Sequence, residues 1–208
     1  MLHPRRGLIR ALDGRKVRML VIRTQRLILR DFQYDDFQAY GKLRSTLHFQ
    51  RFYPEEDASL EKVEQLLGMF ITWANEQPRQ RFQLAVTLPS DKIIGSCGVR
   101  VTSESEHQGS FGCELGQAYW GMGYAYEAGR AMIEYGFREM GLHRIYAETI
   151  AENEMARRLA QKLGMREEGI LRENRWFKDR WWSTVVLSLL ESEWMLMPSN
   201  NSLNPTPR

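Results

Sequence analysis

Apolar positions recur along this chain with two periods, and the changes of period mark out its elements. Ala125, Ala128, Gly129, Met132, Ile133, Gly136, Phe137 and Met140 fall at i, i+3, i+4, i+7 spacing, which predicts a helix burying one face. Glu127, Arg130, Glu134 and Arg138 occupy the other face with alternating signs, as on a solvated side carrying i,i+4 pairs. Gly141 stands where a left-handed cap ends such a helix. Leu60, Val63, Leu66, Leu67 and Phe70 predict a second helix over 59–75, and Phe37, Tyr40 and Leu43 behind Asp35 and Asp36 predict a shorter one. A fourth carries Ala156, Leu159, Ala160 and Leu163 on one face, with Asn153 placed as its N-cap and Gly164 just past its end.

Alternation with period two marks strands over 24–30, 82–87, 93–101, 110–115 and 143–150. The second and third of these form a hairpin around Pro89, Ser90 and Asp91. Near the end, Trp176, Phe177, Trp181 and Trp182 flank Lys178, Asp179 and Arg180, which reads as another hairpin. Basic residues among aromatics also suit single-stranded nucleic acid, but Glu167, Glu168 and Glu173 dilute the charge, so packing is favoured. The element order makes an α+β domain on a mixed, mostly antiparallel sheet of six to seven strands with about four helices.

At 208 residues the chain suits one well-buried domain, assigned to 19–196. Apolar residues at 43% and charged residues at 26% are ordinary for a globular protein, and no apolar run approaches the roughly 20 residues that cross a bilayer. The net charge of +3 misleads: residues 1–18 hold six basic side chains against Asp13, a balance of +5, leaving about −2 for the remainder. That leader is either a nucleic-acid or ribosome arm or, as favoured, a disordered or upstream extension before Met19. Residues 197–208 read as a disordered tail. Cys97 and Cys113 lack C-x-x-C spacing and suggest free thiols in a reducing cytoplasm. The four histidines are scattered, and no metal is expected.

The candidate chemistry begins at Trp120-Gly121-Met122-Gly123-Tyr124-Ala125, just before the central helix. Glycines there leave backbone N–H groups bare at a helix N-terminus, where a partial positive charge suits phosphate oxygens. No lysine follows in Walker fashion and the full dinucleotide fingerprint is missing, so alone the turn reads as either an anion site or a plain strand-to-helix turn.

In its wider setting the segment resembles the acyl-CoA motif R/Q-x-x-G-x-G/A of the GNAT superfamily of N-acyltransferases, with Trp120, Gly123 and Ala125 at its first, fourth and sixth positions. The run 119–128 is similar to the branch typified by N-terminal acetyltransferases of ribosomal proteins, and the likeness extends over about 22–194. The run 153–165, N-E-x-x-x-R-x-x-x-K-L-G-M, resembles the second family signature. The resemblance implies a splayed parallel pair, formed by the strands bearing Leu115 and Ile145, with acetyl-CoA as co-substrate and an amine as acceptor. It puts the pyrophosphate on the amides of Gly121, Met122, Gly123, Tyr124, Ala125 and Tyr126, and the pantetheine along Glu114 and Leu115. Asn153 would bond the pantetheine as well as, or instead of, capping its helix, and Arg158 would reach the CoA phosphates or simply stand exposed. The helical region before residue 75 would close over the acceptor.

The implied reaction is direct attack of a neutral amine on the thioester in a ternary complex, with the Leu115 N–H as oxyanion donor. Many relatives carry a glutamate where this chain has Ser110, left here as a holder of water; Glu114, on the same face if the strand is regular, becomes the candidate base. The tyrosine that serves elsewhere as general acid would fall at Ala160, so none is assigned. The alternative is an acyl-CoA-binding sensor or scaffold that has lost catalysis. Membrane and nucleic-acid partners are not expected, and a homodimer is left open.

Overall fold

The computed structural model describes residues 5–10 and 16–198. In chain order its elements are β1 (Arg5–Arg10), β2 (Lys16–Arg23), β3 (Ile28–Asp31), α1 (Phe37–Arg44), α2 (Leu47–Gln50), α3 (Leu60–Ala74), β4 (Arg81–Thr87) and β5 (Ile93–Ser103). There follow β6 (Gln108–Leu115), α4 (Tyr124–Arg138), β7 (Arg144–Ile150), α5 (Glu154–Lys162), β8 (Arg166–Phe177), β9 (Arg180–Leu190) and α6 (Glu191–Leu196). One sheet holds all nine strands in the order β1-β2-β3-β4-β5-β6-β7-β9-β8, antiparallel except for β6 beside β7.

The two faces of this sheet carry separate cores. Leu84, Val86, Cys97, Val99 and Phe111 pack against Ala128, Met132, Ile133 and Phe137, the apolar stripe of α4. On the opposite face Ala85 and Ile93 meet Phe32, Tyr40, Val63, Leu67 and Phe70 from α1, α3 and the loop before α1. The alternation in β4 therefore reads to two cores, and both predicted helices lie where their apolar faces require. Among the described residues no helix is long and apolar enough to cross a membrane.

Two expectations need correction. Residues 24–30 are not one strand: Thr24 N donates to Leu27 O (3.0 Å), a turn between β2 and β3. Part of the leader is also strand, since β1 pairs antiparallel with β2 from Arg5↔Val21 to Arg10↔Lys16, against the expected disordered extension. A lone β2 would leave a row of edge N–H and C=O groups unpaired, and β1 satisfies them. These two strands raise the count from the expected six or seven to nine. The expectations for 1–4, 11–15 and 199–208 lie outside the described residues.

At the sheet's centre the parallel pair separates. β6 and β7 are in register only over Gln108↔Arg144, Gly109↔Ile145 and Ser110↔Tyr146. Beyond that point β6 stays on β5 as far as Leu115, while β7 stays on β9 as far as Ile150↔Thr184. A wedge-shaped gap opens between 111–115 and 147–150. Near its mouth Phe177 stacks on Trp182 at 4.9 Å beside Ile150 and Phe52, so these aromatics are packing, whereas Trp176 and Trp181 stand exposed.

Candidate active site

The turn between β6 and α4 is built to leave its amides bare. Gly121 and Gly123 have φ of 74° and 80°, the left-handed region where a side chain is strained, and Gly123 caps α4 with no side-chain oxygen over the first turn. The N–H groups of Tyr124, Ala125 and Tyr126 have no acceptor within their own helix, by the geometry of any helix start. Trp120 points its indole Nε1 at Leu115 O (2.8 Å) and so pins the turn to the end of β6.

A tie that the sequence did not reveal holds this turn from the other side. Glu127 is not on a solvated face; its side chain is 15% exposed and accepts from Thr24 Oγ1 (2.6 Å), Arg26 N (2.8 Å) and Arg26 Nε (2.7 Å). Arg26 also donates from Nη1 to Met122 O (2.9 Å) and lies 4.6 Å from the Tyr124 ring centroid. The β2–β3 turn thus clamps the glycine turn and sets a guanidinium beside its amides. Burial pushes the Glu127 carboxyl up, but hydrogen bonds from Thr24 and Arg26 outweigh it, and the group lies below its ordinary 4.5. A depressed carboxylate stabilises the fold above that ordinary value and loses its contribution as the pH falls through and below it. Glu127→Gln should therefore lower Tm at pH 7 and shrink the wild-type loss of Tm on acidification, as thermal denaturation between pH 7 and pH 3 would read.

The register of β5 and β6 fixes what faces the gap. Gly95 opposes Leu115, and Gly116 N donates to Ile94 O (2.9 Å), so Gly95 and Leu115 form a non-hydrogen-bonded pair. Cys113, two residues back, is in the same phase. The N–H groups of Cys113 and Leu115 are consequently directed away from β5 and into the gap, while the Leu115 carbonyl is already taken by Trp120. Cys97 and Cys113 are free thiols opposite one another, and burial, then the Cys113 contact, pushes the Cys97 thiol well up.

No register shift falls between Ser110 and Glu114, so the two share a face of β6. Glu114 is heavily engaged. Its Oε1 accepts from the Tyr40 hydroxyl in a short bond and from Ser96 Oγ (3.1 Å), and Arg44 Nη1 lies 3.2 and 3.1 Å from its two oxygens. Burial, then the Glu114 charge, holds the Tyr40 hydroxyl well above its ordinary range, so it stays a donor. Burial lowers and the Glu114 charge raises the Arg44 guanidinium, and the net direction is up. The network continues inward: Gln83 Nε2 donates to Ser96 Oγ (2.9 Å), Arg100 Nη1 to Gln83 Oε1 (2.5 Å), and Arg100 Nε to Ser110 Oγ (3.3 Å). Nothing in sequence spacing brought Tyr40, Arg44 or Arg100 to this place.

A cleft of about 170 Å³ lies between the loop after α2, the end of β7 and the β8–β9 hairpin. Tyr53, Asp57, Glu148, Asn153 and Arg175 supply its polar lining. Asn153 does cap α5, accepting from Ala156 N (3.2 Å), and also borders the cleft. Arg158 stands on the exposed side of α5, ion-paired with Glu154 at 2.7 Å. Among the described residues neither Asp57 nor Glu148 makes an ion pair.

Comparison with known proteins accords with this geometry. A model of the acetyltransferase (GNAT) domain matches residues 26–166. The Bacillus subtilis (strain 168) protein named "Uncharacterized N-acetyltransferase YnaD" is 32% identical over 173 residues, covering 83% of this chain and 98% of that protein. Among solved structures, a GNAT-family acetyltransferase from Bacillus anthracis superposes with a TM-score of 0.72 at 27% identity, over 83% of this chain and 99% of that one. Spermidine N-acetyltransferase from Vibrio cholerae, solved with CoA and spermine, has a TM-score of 0.71 over 83% of this chain and 99% of its own; at 21% identity it speaks for the fold alone.

Proposed function

The chain belongs to the acetyltransferase (GNAT) domain family and is an N-acetyltransferase, and on that premise we propose that it moves the acetyl group of acetyl-CoA directly onto a primary amine held in the same complex. The observation that carries this reading is the junction of two bare backbone surfaces. An uncapped α4 N-terminus adjoins a gap whose β6 edge directs the Cys113 and Leu115 N–H groups inward. The first surface suits a diphosphate and the second an amide-bearing arm that would add itself like a strand. The Vibrio cholerae relative, solved with CoA, lends this support from the same fold.

In this reading the amides of 121–126 hold phosphate oxygens, Arg26 adds a cation beside them, and Asn153 bonds the arm in the gap. The Leu115 N–H polarises the carbonyl under attack as charge develops on its oxygen. The attacking amine must first be neutral. Glu114 is a poor taker of that proton because Arg44, Tyr40 and Ser96 already occupy its oxygens; it holds α1 over the gap instead. Glu148, on the cleft wall and without an ion pair, is the better base, with Asp57 opposite to draw the ammonium in.

Release of free thiol from acetyl-CoA, measured across a panel of primary amines with product identified by mass spectrometry, tests the activity. Turnover is expected; tight acetyl-CoA binding without turnover on any amine would overturn it in favour of a binding protein. Glu148→Gln should lower kcat/KM by about 10²-fold, because the variant has no base to take the proton from the attacking amine. Glu114→Gln should cost much less in kcat/KM. The reverse pattern would return the base to Glu114.

A further inference from the structure

Arg100 carries a charge with no ion pair of its own among the described residues. It projects from β5 over Gly112 of β6, where its Nη2 lies 3.0 Å from the position that a Cβ on that glycine would take. Its hydrogen-bond partners are the neutral side chains of Gln83 and Ser110. Among the described residues no carboxylate comes within ion-pair distance of it; Glu114 acts on it only through space and is itself paired with Arg44. Burial acts on this guanidinium strongly enough to bring it below its ordinary value. Holding a half-buried cation without a direct ion pair is costly, and such costs collect where a ligand supplies the missing partner.

The place is specific. Ser110, which accepts from Arg100, is the last β6 residue in register with β7, opposite Tyr146. Arg100 therefore stands at the root of the gap, on the face that α1 covers. Glu148 lies two residues beyond Tyr146 on the same face of β7, roughly 6–7 Å along the strand. Arg100, over Gly112, and Glu148 thus stand on the same face of the sheet on either side of the gap, a cation and a carboxylate without ion pairs among the described residues.

We infer that Arg100 is a carboxylate-binding residue, and that the acceptor of this enzyme is an amino acid whose carboxylate docks on Arg100 while its amine faces Glu148. The planar fork of a guanidinium matches a carboxylate in two parallel bonds, and Gly112 leaves room for that fork to lie across β6. The inference deepens the acetyltransfer reading and rests on it.

The test compares, for each amino acid of a panel, the free acid, its amide and the decarboxylated amine as acceptors with acetyl-CoA. The free acid should be preferred on the order of 10–100-fold in kcat/KM. Arg100→Gln should bring the ratio of acid to amide near one without lowering Tm, since it removes a charge without an ion pair. Arg100→Lys should keep part of the preference. Equal rates for acid and amide in the wild type, or a ratio unmoved by Arg100→Gln together with a fall in Tm, would overturn the inference and make the arginine structural. An Arg100-dependent preference for succinyl-CoA over acetyl-CoA would also overturn it, by placing the carboxylate on the acyl donor. Thermal shift with N-acetyl amino acids against their amides separates the two readings: if no amine is turned over yet the acids alone raise Tm through Arg100, the transfer reading fails and the carboxylate site stands.

Discussion

Gly123→Glu is expected to weaken acetyl-CoA binding by on the order of 100-fold or more, with the fold retained. Three effects act together. The residue sits at φ 80°, where any side chain costs about 1–2 kcal/mol. Its Cβ would come 3.3 Å from Arg26 Nη2, displacing or pairing with the cation beside the turn. Its carboxylate would then lie against the same helix start that attracts phosphate, and repel it. Gly123 is exposed, so the penalty stays local. Isothermal titration with acetyl-CoA, alongside circular dichroism, reads both halves. Gly123→Ala carries the backbone cost and the Cβ contact with Arg26 but no charge, and should bind with an intermediate affinity. Unchanged affinity in the glutamate variant would mean that this turn is not the anion site.

Arg44→Met should cost about 3 kcal/mol of stability, because it leaves the part-buried Glu114 without its cation. The pair is 7% and 17% exposed at its side chains, so water replaces the lost partner only in part. Glu114 would retain Tyr40 and Ser96 as donors but no charge to balance its own. Arg44 also joins α1 to the carbonyl of Asp57, at 3.3 and 3.2 Å, so the cleft wall should loosen with it. Denaturant unfolding gives the loss directly. The double variant Arg44→Met/Glu114→Gln should recover most of it, since removing both charges avoids the uncompensated one. A double variant as unstable as the single one would show that packing, rather than charge, holds this corner.

What could be read from the sequence was what depends on neighbours along the chain. The stripe from Ala128 to Phe137 predicted α4 and the face it buries, and the glycines before it marked a backbone that turns through positive φ. The phase of Leu115 and the shared face of Ser110 and Glu114 followed from strand alternation once the register proved regular. What could not be read depends on partners far away. Arg26 meets Glu127 across 101 residues and Arg44 meets Glu114 across 70, and no local period encodes either. Glu127 reads as solvated for that reason: its helical position is outward from α4, and only the β2–β3 turn makes it an anchor. The same turn broke the expected strand over 24–30, since Thr24 and Arg26 leave the ladder to hold Glu127. Cys97 and Cys113 likewise gave no sign by spacing that a hairpin sets them face to face.

The central claim, that bare amides at the start of α4 grip the diphosphate of acetyl-CoA while the thioester arm lies in the gap beside Leu115, is tested most directly by a crystal structure with CoA bound. The diphosphate oxygens should lie about 2.7–3.2 Å from N–H groups within 121–126, with the arm running between β6 and β7. CoA seated elsewhere, or a turn whose amides point inward onto the protein's own side chains, would contradict it.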